Sequence, residues 1–362
     1  MRQIFMERAG PLAGKVDLGK GGATCHDHGE QECWAHSQAK SLSQKKSPWK
    51  GVPTLECGQA RVRAVRAAAV WPVHGIIAGL VPHHLSRQYR ELKELAAGDL
   101  GGAAVATLIG DMAQHARKIL DGCELVDLIS RVPSKTYFGF RGTVESRPVN
   151  VALFVHDPEQ FSLLLETFQK GMPNARAEEI TRTAYTIALS VFAAHDVNDV
   201  GRKASATFFE ILIGHMVARA LDVSPRKKVR MPESQVELPT DYVFDPGRNR
   251  RKIHLPIKTS TRERGVQAWV HHLILDGVFG KGRFRGVLVV CGETKRNART
   301  REVIEICVPA QWQMFQERVS ELSRIYYLDP PEPYLALTHA HPQVVVKPFG
   351  EAFDELRELL AT

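Results

Sequence analysis

The residues of this sequence whose side chains could take part in catalysis concentrate between positions 240 and 264, where acids, lysines and arginines lie close together. Asp245 stands directly before Pro246-Gly247, and Lys258 ends the next alternating run. Carboxylates hold Mg²⁺, which prefers oxygen ligands and keeps several waters. The ion lowers the pKa of a bound water, and a nearby lysine can orient that water or stabilise developing charge. Asp245 and Lys258 are therefore candidate catalytic residues for phosphodiester hydrolysis, with Mg²⁺ as the cofactor and Asp245 as its ligand.

A β-hairpin must position this pair. The β-favouring run 242–244 lies between Asp241 and Asp245, and the Pro, Gly and polar residues at 246–251 predict a turn. Residues 252–258 then alternate apolar and polar side chains, which predicts a half-buried strand. We expect antiparallel pairing across the turn to bring Asp245 close to Lys258. The polar face of the second strand would carry Lys252, His254 and Lys258.

A helix is predicted to follow the second strand. Ser260 and Glu263 have the spacing of a capping box, and apolar residues recur at helical spacing over 266–274. Arg262 and Arg264 would then lie at the helix N-terminus, where positive charge does not favour the helix dipole. Guanidinium groups suit phosphates or guanine edges, although simple pairing with acidic neighbours is the alternative.

This order of residues resembles a known family. Asp245, then Pro256-Ile257-Lys258 and the run T-S-T-R-E-R, is similar to the active-site region of type II restriction endonucleases with the PD-(D/E)xK fold. The K-x-S-x-R branch, many of whose members recognise CCGG-containing sites, is the most similar. The segment 201–214 resembles the first core helix of these enzymes, in which a Glu often faces the metals; here that residue is Glu210. The resemblance covers about residues 185–334.

The resemblance implies an α/β fold whose mixed β-sheet is flanked by helices, with an additional, mostly helical region before it. It also implies sequence-specific, Mg²⁺-dependent cleavage of double-stranded DNA. A palindromic site would require a two-fold homodimer or a higher homo-oligomer. The implied catalytic residues are Asp245, Lys258, Glu210 and Glu263, of which the three acids bind metal. The implied DNA-binding residues are Arg262, Arg264 and Gln267.

The sequence departs from the family pattern at Pro256, which stands where the family has its second acid and cannot bind metal. In the K-x-S-x-R branch that acid comes from the following helix, where this chain has His271 and His272. The second metal ligand is therefore open between Glu210 and Glu263, with Gln267 and Glu293 as weaker alternatives. A rival placement uses Glu293-Thr294-Lys295, a literal E-x-K, together with Asp276.

Composition is that of an ordinary globular protein, and its basic balance fits a polyanionic partner without requiring one. The 362 residues are 44% hydrophobic and 24% charged, with a net charge of +8. A pI near 9.2 fits DNA binding. The six cysteines form no C-x-x-C pair, so neither a disulfide framework nor a ribbon-type zinc site is indicated. No signal-peptide core and no membrane span are evident, which predicts a cytoplasmic protein.

The sequence divides into three regions that differ in composition and in the periodicity of their apolar residues. Residues 1–85 read as an irregular or disordered extension, in which Cys25, His26, His28, Cys33 and His36 offer zinc-binding side chains without a common finger spacing. Residues 86–175 predict a helical subdomain with a small sheet, and 176–362 predict the nuclease core. Residues 224–230 read as a basic loop. Two further functions remain open: another PD-(D/E)xK nuclease, such as a repair or nicking enzyme, and an inactive DNA-binding relative.

Overall fold

The computed structural model describes residues 81–199, 202–232, 236–247, 250–262 and 265–361. The predicted cysteine-histidine group that begins at Cys25 lies outside these residues, as do Glu263 and Arg264. The helices of the described residues are α1 (Val81–Gly98), α2 (Ala103–Leu120), α3 (Pro158–Gln169), α4 (Ala177–Val197), α5 (Arg202–Leu221), α6 (Val266–Phe279), α7 (Pro309–Arg318), α8 (Glu332–Ala340) and α9 (Ala352–Ala361), with a 3₁₀ turn at Phe349–Glu351.

The strands form two small antiparallel sheets and one large sheet. The first small sheet contains β1 (Glu124–Leu128), β2 (Tyr137–Arg141) and β3 (Val149–Asn150). The large sheet contains β4 (Pro225–Arg230), β5 (Glu237–Phe244), β6 (Lys252–Leu255), β7 (Ile257–Lys258), β8 (Phe284–Val290), β11 (Arg324–Tyr327) and β12 (Val346–Pro348). The second small sheet pairs β9 (Thr294–Arg296) with β10 (Val303–Glu305).

The large sheet is mixed. Its order is β12-β11-β8-β6-β5-β4, with β7 paired to β8 as a continuation of β6. Strands β4, β5 and β6 are antiparallel neighbours, whereas β6, β7 and β11 run parallel to β8 and β12 runs parallel to β11. The predicted α/β class, with a mixed sheet flanked by helices, is confirmed.

Helices cover both faces of this sheet, as the near-continuous apolar run of β8 predicts. Val287 and Val289 join the core formed with α4 and α5. Leu288 and Val290 point the other way and join the core that holds Trp269 of α6. Alternate residues of one strand therefore serve two cores, which fixes the register of the sheet.

Among the described helices, one segment, Lys203–Leu221 of α5, is long and apolar enough to cross a membrane by length and composition. Most of that segment is buried within this protein, and Phe208 and Leu212 are fully covered. Its apolar composition follows from this position in the core, because a helix that is covered on several sides needs apolar residues on several sides.

Some elements were predicted wrongly from the sequence. The basic stretch 224–230, predicted as a loop, is the edge strand β4, because Arg226 pairs with Val243 and Val229 with Leu238 of β5. Exposed charges are usual on an edge strand, where they discourage pairing with another chain, and they masked its strand character. The apolar run 344–346 predicts an edge strand over 344–347, and β12 at Val346–Pro348 is that strand, at the edge of the large sheet beside β11. The division of the chain at residues 85 and 175 stays a prediction.

Candidate active site

The central feature of the site is an ion pair between Asp241, near the end of β5, and Lys258, the last residue of β7. Lys258 Nζ lies 2.8 Å from Asp241 Oδ2. The same oxygen accepts a hydrogen bond of 2.7 Å from the backbone N–H of Ile257. Both side chains are 21% exposed, so the pair is held by the sheet and still reaches solvent.

The predicted proximity of Asp245 to Lys258 is wrong. Phe244 pairs with Ile253 in the hairpin, which sets Asp245 opposite Lys252, and these two side chains form an ion pair of 2.6 Å. Burial raises the pKa of Asp245, but Lys252 and the Gly247 N–H outweigh it and leave that pKa below its usual value. In an antiparallel pair, each step forward along one strand is matched by a step back along the other. Tyr242 pairs with Leu255, so Lys258, which lies beyond Leu255, can only meet a residue before Tyr242.

The second strand is buried more deeply than its alternation suggests. His254, predicted on the polar face with Lys252 and Lys258, is fully buried because α6 covers that face of the sheet. Pro256 separates β6 from β7 but does not shift their register with β8, and its carbonyl accepts a hydrogen bond from Val289. Without an N–H, Pro256 cannot donate to the ladder, and Ile257 donates to the Asp241 carboxylate instead.

Glu210, on α5, is a second carboxylate in electrostatic reach of the pair. Burial raises the pKa of its carboxyl and Asp241 raises it further, while Lys227 and Lys258 lower it. Gly214, one turn later on α5, permits close packing on β5, because a Cβ there would lie only 2.4 Å from Cε2 of Tyr242. The glycine thus lets the helix that carries Glu210 approach the strand that carries Asp241.

A cavity of about 200 Å³ opens beside the ion pair. It is lined by Pro239, Thr240, Asp241, His254, Pro256, Lys258, Gln267, Ala268 and His271. Its lining combines β5, the β6–β7 strand and the first turns of α6. The ends of two strands and one helix therefore enclose the acid, the lysine, an amide and two imidazoles.

Histidines form the wall of this cavity on the α6 side. The ring of His254 stacks on His272 with centroids 5.7 Å apart and lies 6.4 Å from His271. In the described part of the chain, neither ring nitrogen of His254 has a hydrogen-bond partner. Burial, with help from His272, His271 and Lys258, holds the pKa of His254 well below its usual value. Burial and Lys258 also lower the pKa of His271, which favours neutral imidazoles where the family resemblance would place an acid.

The loop after Lys258 is anchored by a buried acid. Glu293 Oε1 accepts hydrogen bonds from Thr261 N at 2.9 Å, Thr261 Oγ1 at 2.7 Å and Tyr327 OH at 2.9 Å. Glu293 is fully buried, and burial raises the pKa of its carboxyl. These bonds fix the segment that carries Arg262.

The structure does not bring the rival site together. Glu293 is turned towards Thr261 and Tyr327, whereas Lys295 is an exposed residue of β9. Asp276 contacts Gly282 and Ser320 at the far end of α6. Glu293 therefore serves the loop after Lys258, an anchoring role that the chain order did not suggest.

Two of the predicted DNA-binding residues, Arg262 and Gln267, lie among the described residues. Helix α6 begins at Val266 with Gly265 as its N-cap, so the predicted cap by Ser260 is wrong and Arg262 lies before the helix. Arg262 is exposed, and its Nε donates to Ser260 Oγ at 3.2 Å. Gln267 is exposed in the first turn of α6 and lines the cavity.

One carboxylate that lines the cavity, Asp241, and a second in electrostatic reach of it, Glu210, suit a hard divalent cation. Asp241 raises the pKa of Glu210, and a bound cation would relieve this repulsion between like charges. Within the residues that the structure describes, no group of three or more His, Cys, Asp or Glu is arranged to hold a metal ion. Glu263, a predicted further ligand, lies outside them. The residues that fit the ion are therefore Asp241 and Glu210, with oxygen donors of the kind Mg²⁺ prefers.

Asp241 is the candidate site residue that the sequence interpretation missed. It is visible in the sequence as the acid at the start of the run 242–244. Counting outward from the turn on both strands would have matched it with Pro256 and placed its side chain near Lys258. The feature of the sequence that could have identified Asp241 is the hairpin register, which depends on the position at which the turn closes.

Comparisons with known proteins identify a solved structure that shares this fold. No family model matches the chain, and no curated protein matches it in sequence. The crystal structure of the Type IIP restriction endonuclease Kpn2I superposes with a TM-score of 0.66 at 23% identity, over 76% of this chain and 97% of that chain. The restriction endonuclease PspGI–substrate DNA complex gives a TM-score of 0.37 at 13% identity, over 71% and 93% of the two chains. The first likeness is close enough to show a shared fold, and the second is too distant to support an argument.

Proposed function

We propose that this chain, which has the fold of the type II restriction endonucleases, is a Mg²⁺-dependent endonuclease that cleaves double-stranded DNA at a specific sequence. The observation that carries the proposal is the Asp241–Lys258 ion pair, whose two side chains line the cavity. Glu210 interacts electrostatically with both members of that pair. An acid and a lysine on adjacent strands, with a second acid on a packed helix, are the parts that phosphodiester hydrolysis requires.

The side chains of the site would divide the work. Asp241 and Glu210 would hold the divalent cation, which when bound lowers the pKa of a water and neutralises charge on the scissile phosphate. Lys258, kept in place by Asp241, provides a fixed positive charge for the oxygen anion that develops at phosphorus. The Ile257 N–H holds Asp241 from the backbone side, so the carboxylate does not need to reorganise during the reaction.

Charged residues around the cavity suit a DNA backbone. Edge strand β4 carries four basic residues, Arg226, Lys227, Lys228 and Arg230. Lys227 Nζ lies 5.0 Å from the centre of the Tyr242 ring and influences Glu210, which places this strand next to the site. Phosphate contacts supply much of the affinity for DNA. Arg262 and Gln267 would contact base edges, for which their side chains are suited, and Arg264 remains a proposed contact.

The test is incubation of purified protein with unmethylated plasmid and phage DNA, with Mg²⁺ and with EDTA. Discrete fragments that require Mg²⁺ are the expected result. Lys258→Ala protein, purified identically, should retard DNA without cutting it, which excludes a contaminating nuclease. Lys252→Ala is the matched control, because that lysine pairs with Asp245 away from the cavity, and it should cut like the wild type.

Other outcomes assign other functions. Mg²⁺-dependent degradation without discrete fragments would indicate a nuclease of repair or nicking type. Retarded DNA without cutting in the wild type would indicate an inactive relative, with Pro256 and His271 as the departures to examine. Neither binding nor cutting would leave only the shared fold.

A further inference from the structure

Strands β9 and β10 and the turn between them form a strongly basic hairpin. Four of the seven residues from 295 to 301 are Lys or Arg. We call residues 294–305 the basic hairpin. It carries Lys295, the lysine of the rival E-x-K motif, and the proposed cleavage reaction gives none of these side chains a role.

Two of the four basic side chains attach the hairpin to the first small sheet. Arg296 Nη1 lies 2.6 Å from Glu145 Oε2, and Arg296 Nη2 donates to the Ser146 carbonyl at 3.2 Å. Arg301 pairs with the same carboxylate of Glu145. The positive charges of Arg296 and Arg301 are therefore used within the fold.

The base of the basic hairpin is fixed to the large sheet. Lys135 Nζ donates to Glu305 Oε1 at 2.7 Å and lies 2.8 Å from Oδ1 of Asp329, a buried residue just after β11. The Ile306 N–H donates to the Glu293 carbonyl at 3.2 Å. A surface that is already held in place loses little conformational entropy when it binds a partner.

The other two basic side chains are available to a partner. Lys295 and Arg299 are exposed, and neither has an acidic partner within the part of the chain that the structure describes. Successive side chains of a strand point to opposite faces, so Lys295 points away from the small sheet to which Arg296 is bound. Two exposed positive charges on a rigid hairpin suit a polyanion.

The basic hairpin starts at the edge of the sheet where the catalytic cavity opens. Beyond β8, the Cys291 N–H donates to the Lys258 carbonyl at 3.0 Å and the Gly292 N–H to the Thr259 carbonyl at 3.3 Å. Glu293 then holds Thr261. Lys295 comes two residues later, which is about 7 Å along an extended strand.

A second basic element lies on the opposite side of the cavity. The sheet order β8-β6-β5-β4 places the strands of Asp241 and Lys258 between the basic edge strand β4 and the strand that leads into the basic hairpin. Three strand spacings amount to about 14 Å, close to the roughly 12 Å width of the major groove. Positive charge on both sides of the cavity therefore suits phosphates on the two strands of a duplex.

We infer that the basic hairpin is a separate phosphate-binding element, on which Lys295 and Arg299 contact the backbone of duplex DNA beside the site of cleavage. The inference deepens the proposed function and rests on it for the identity of the polyanion. Phosphate contacts carry no sequence information directly. The basic hairpin consequently adds affinity for DNA of any sequence, and Lys295 binds substrate away from the reacting phosphate.

The test measures DNA binding at several salt concentrations. Fluorescence anisotropy of the full chain with a labelled duplex of arbitrary sequence is recorded in EDTA, so that nothing is cut. The Lys295→Ala/Arg299→Ala protein should show a slope of log affinity against log salt that is shallower by about 1.8, or about 0.9 for each lost phosphate contact. The exchange variant Lys295→Arg/Arg299→Lys keeps both charges and should retain the slope of the wild type.

A matched control removes the same charges elsewhere. Arg90 and Lys118 are exposed residues of α1 and α2, and the Arg90→Ala/Lys118→Ala protein should bind with the slope of the wild type. An equal loss of slope in this control would show that only net charge matters and would overturn the inference. An unchanged slope in the Lys295→Ala/Arg299→Ala protein would also overturn it and leave the nuclease proposal intact.

The remaining outcomes separate the basic hairpin from catalysis. Thermal unfolding checks that each variant folds, and Arg299→Ala alone, in the exposed turn, should lose about 0.9 of the slope if the double variant does not fold. A shallower slope for the hairpin variants supports the inference even if the wild type never cuts DNA. A wild type that binds no DNA overturns both the inference and the proposed function.

Discussion

Lys258 Nζ and the Ile257 N–H both reach the same oxygen, Oδ2 of Asp241, at 2.8 Å and 2.7 Å. One residue of β7 therefore holds the carboxylate through its side chain, and its neighbour holds it through the backbone. Charge-assisted hydrogen bonds of this length are stronger than neutral ones. The acid and the lysine consequently behave as one preorganised unit.

The first prediction separates the two acids of the hairpin. Asp241→Asn should reduce the rate of DNA cleavage at least about 100-fold, because it removes the charge that would hold the cation and Lys258. Asp245→Asn, which disturbs the contacts with Lys252 and the Gly247 N–H but none of the cavity lining, should change that rate less than about tenfold. Single-turnover cleavage at saturating enzyme measures both. The reverse order of effects would restore Asp245 as the catalytic acid.

The second prediction concerns the cost of the carboxylate on α5. Burial and Asp241 raise the pKa of Glu210, so the fold disfavours the ionised form that this side chain takes in the unfolded chain at neutral pH. Glu210→Gln removes that charge with little change in shape, and the free energy of unfolding should stay equal or rise by about 1 kcal/mol. Cleavage should nevertheless fall at least about tenfold. Urea unfolding and cleavage assays on one preparation test both halves, and an unchanged rate would remove Glu210 from the site.

The third prediction distinguishes anchoring from catalysis at Glu293. Glu293→Ala leaves Thr261 and Tyr327 with unpaired buried donors and should cost about 3 kcal/mol of stability. Glu293→Gln keeps an acceptor and should cut DNA within about tenfold of the wild type. Tyr327→Phe, which removes one of the three donors, should lie between them in stability. Complete loss of cutting in a stable Glu293→Gln protein would revive the rival E-x-K site.

The fourth prediction is a pH dependence of stability. Burial lowers the pKa of His215 from 6.5 to about 4, although its hydrogen bond to the Leu100 carbonyl opposes the shift. The unfolded chain therefore binds a proton that the folded chain refuses, and the contribution of His215 is present above pH 6.5 and lost as pH falls towards 4. The loss at full protonation is roughly 3 kcal/mol. His195 behaves in the same direction, with a pKa of about 4.

Urea unfolding near neutral pH and near pH 5 measures this effect. His215→Asn can keep a donor to Leu100 without the titrating ring, so its stability should fall less on acidification than that of the wild type. His195 remains and should preserve part of the slope. Identical slopes for both proteins would show that His215 is protonated equally in the folded and unfolded chains.

The fifth prediction tests the packing of α5 on β5. Gly214→Ala puts a methyl group 2.4 Å from Cε2 of Tyr242, and overpacking of this kind costs about 1–3 kcal/mol. Gly98→Ala is the control, because a Cβ at this helix end meets nothing within 4 Å. Thermal unfolding should separate the two variants clearly. A stable Gly214→Ala protein with normal cleavage would show that the approach of α5 is looser than described.

Most elements could be predicted because their apolar periodicity survives in the sequence. Apolar residues at helical spacing over 103–121, 158–170 and 177–194 predict helices α2, α3 and α4, and the continuous apolar run 287–291 predicts the buried strand β8, each to within a few residues. Strand β4 was missed because its exposed basic side chains are those of an edge, and β1 because its residues alternate only weakly in burial. Helix α8 was missed because three prolines, Pro330, Pro331 and Pro333, stand close before its first buried residue, Tyr334.

The site was harder to predict than the fold. Lys258, Glu210 and Gln267 were identified from residue type and order, and the structure places Lys258 and Gln267 at one cavity with Glu210 in electrostatic reach. Asp241 was not, because its relation to Lys258 depends on the point at which the turn closes, and a shift of the register changes every cross-strand neighbour. The buried position of His254 likewise follows from a helix packed on the strand.

The proline between β6 and β7 has a spectroscopic consequence. Pro256 contributes no amide signal, so Ile257 is the first residue after it that can report on this strand through an N–H. That N–H is bound to the side-chain carboxylate of Asp241 rather than to a backbone carbonyl of another strand. Its chemical shift and its hydrogen-exchange rate therefore follow the state of a single side-chain oxygen. Any molecule that competes for this oxygen will appear in the signal of one backbone amide, before a phosphodiester bond is broken.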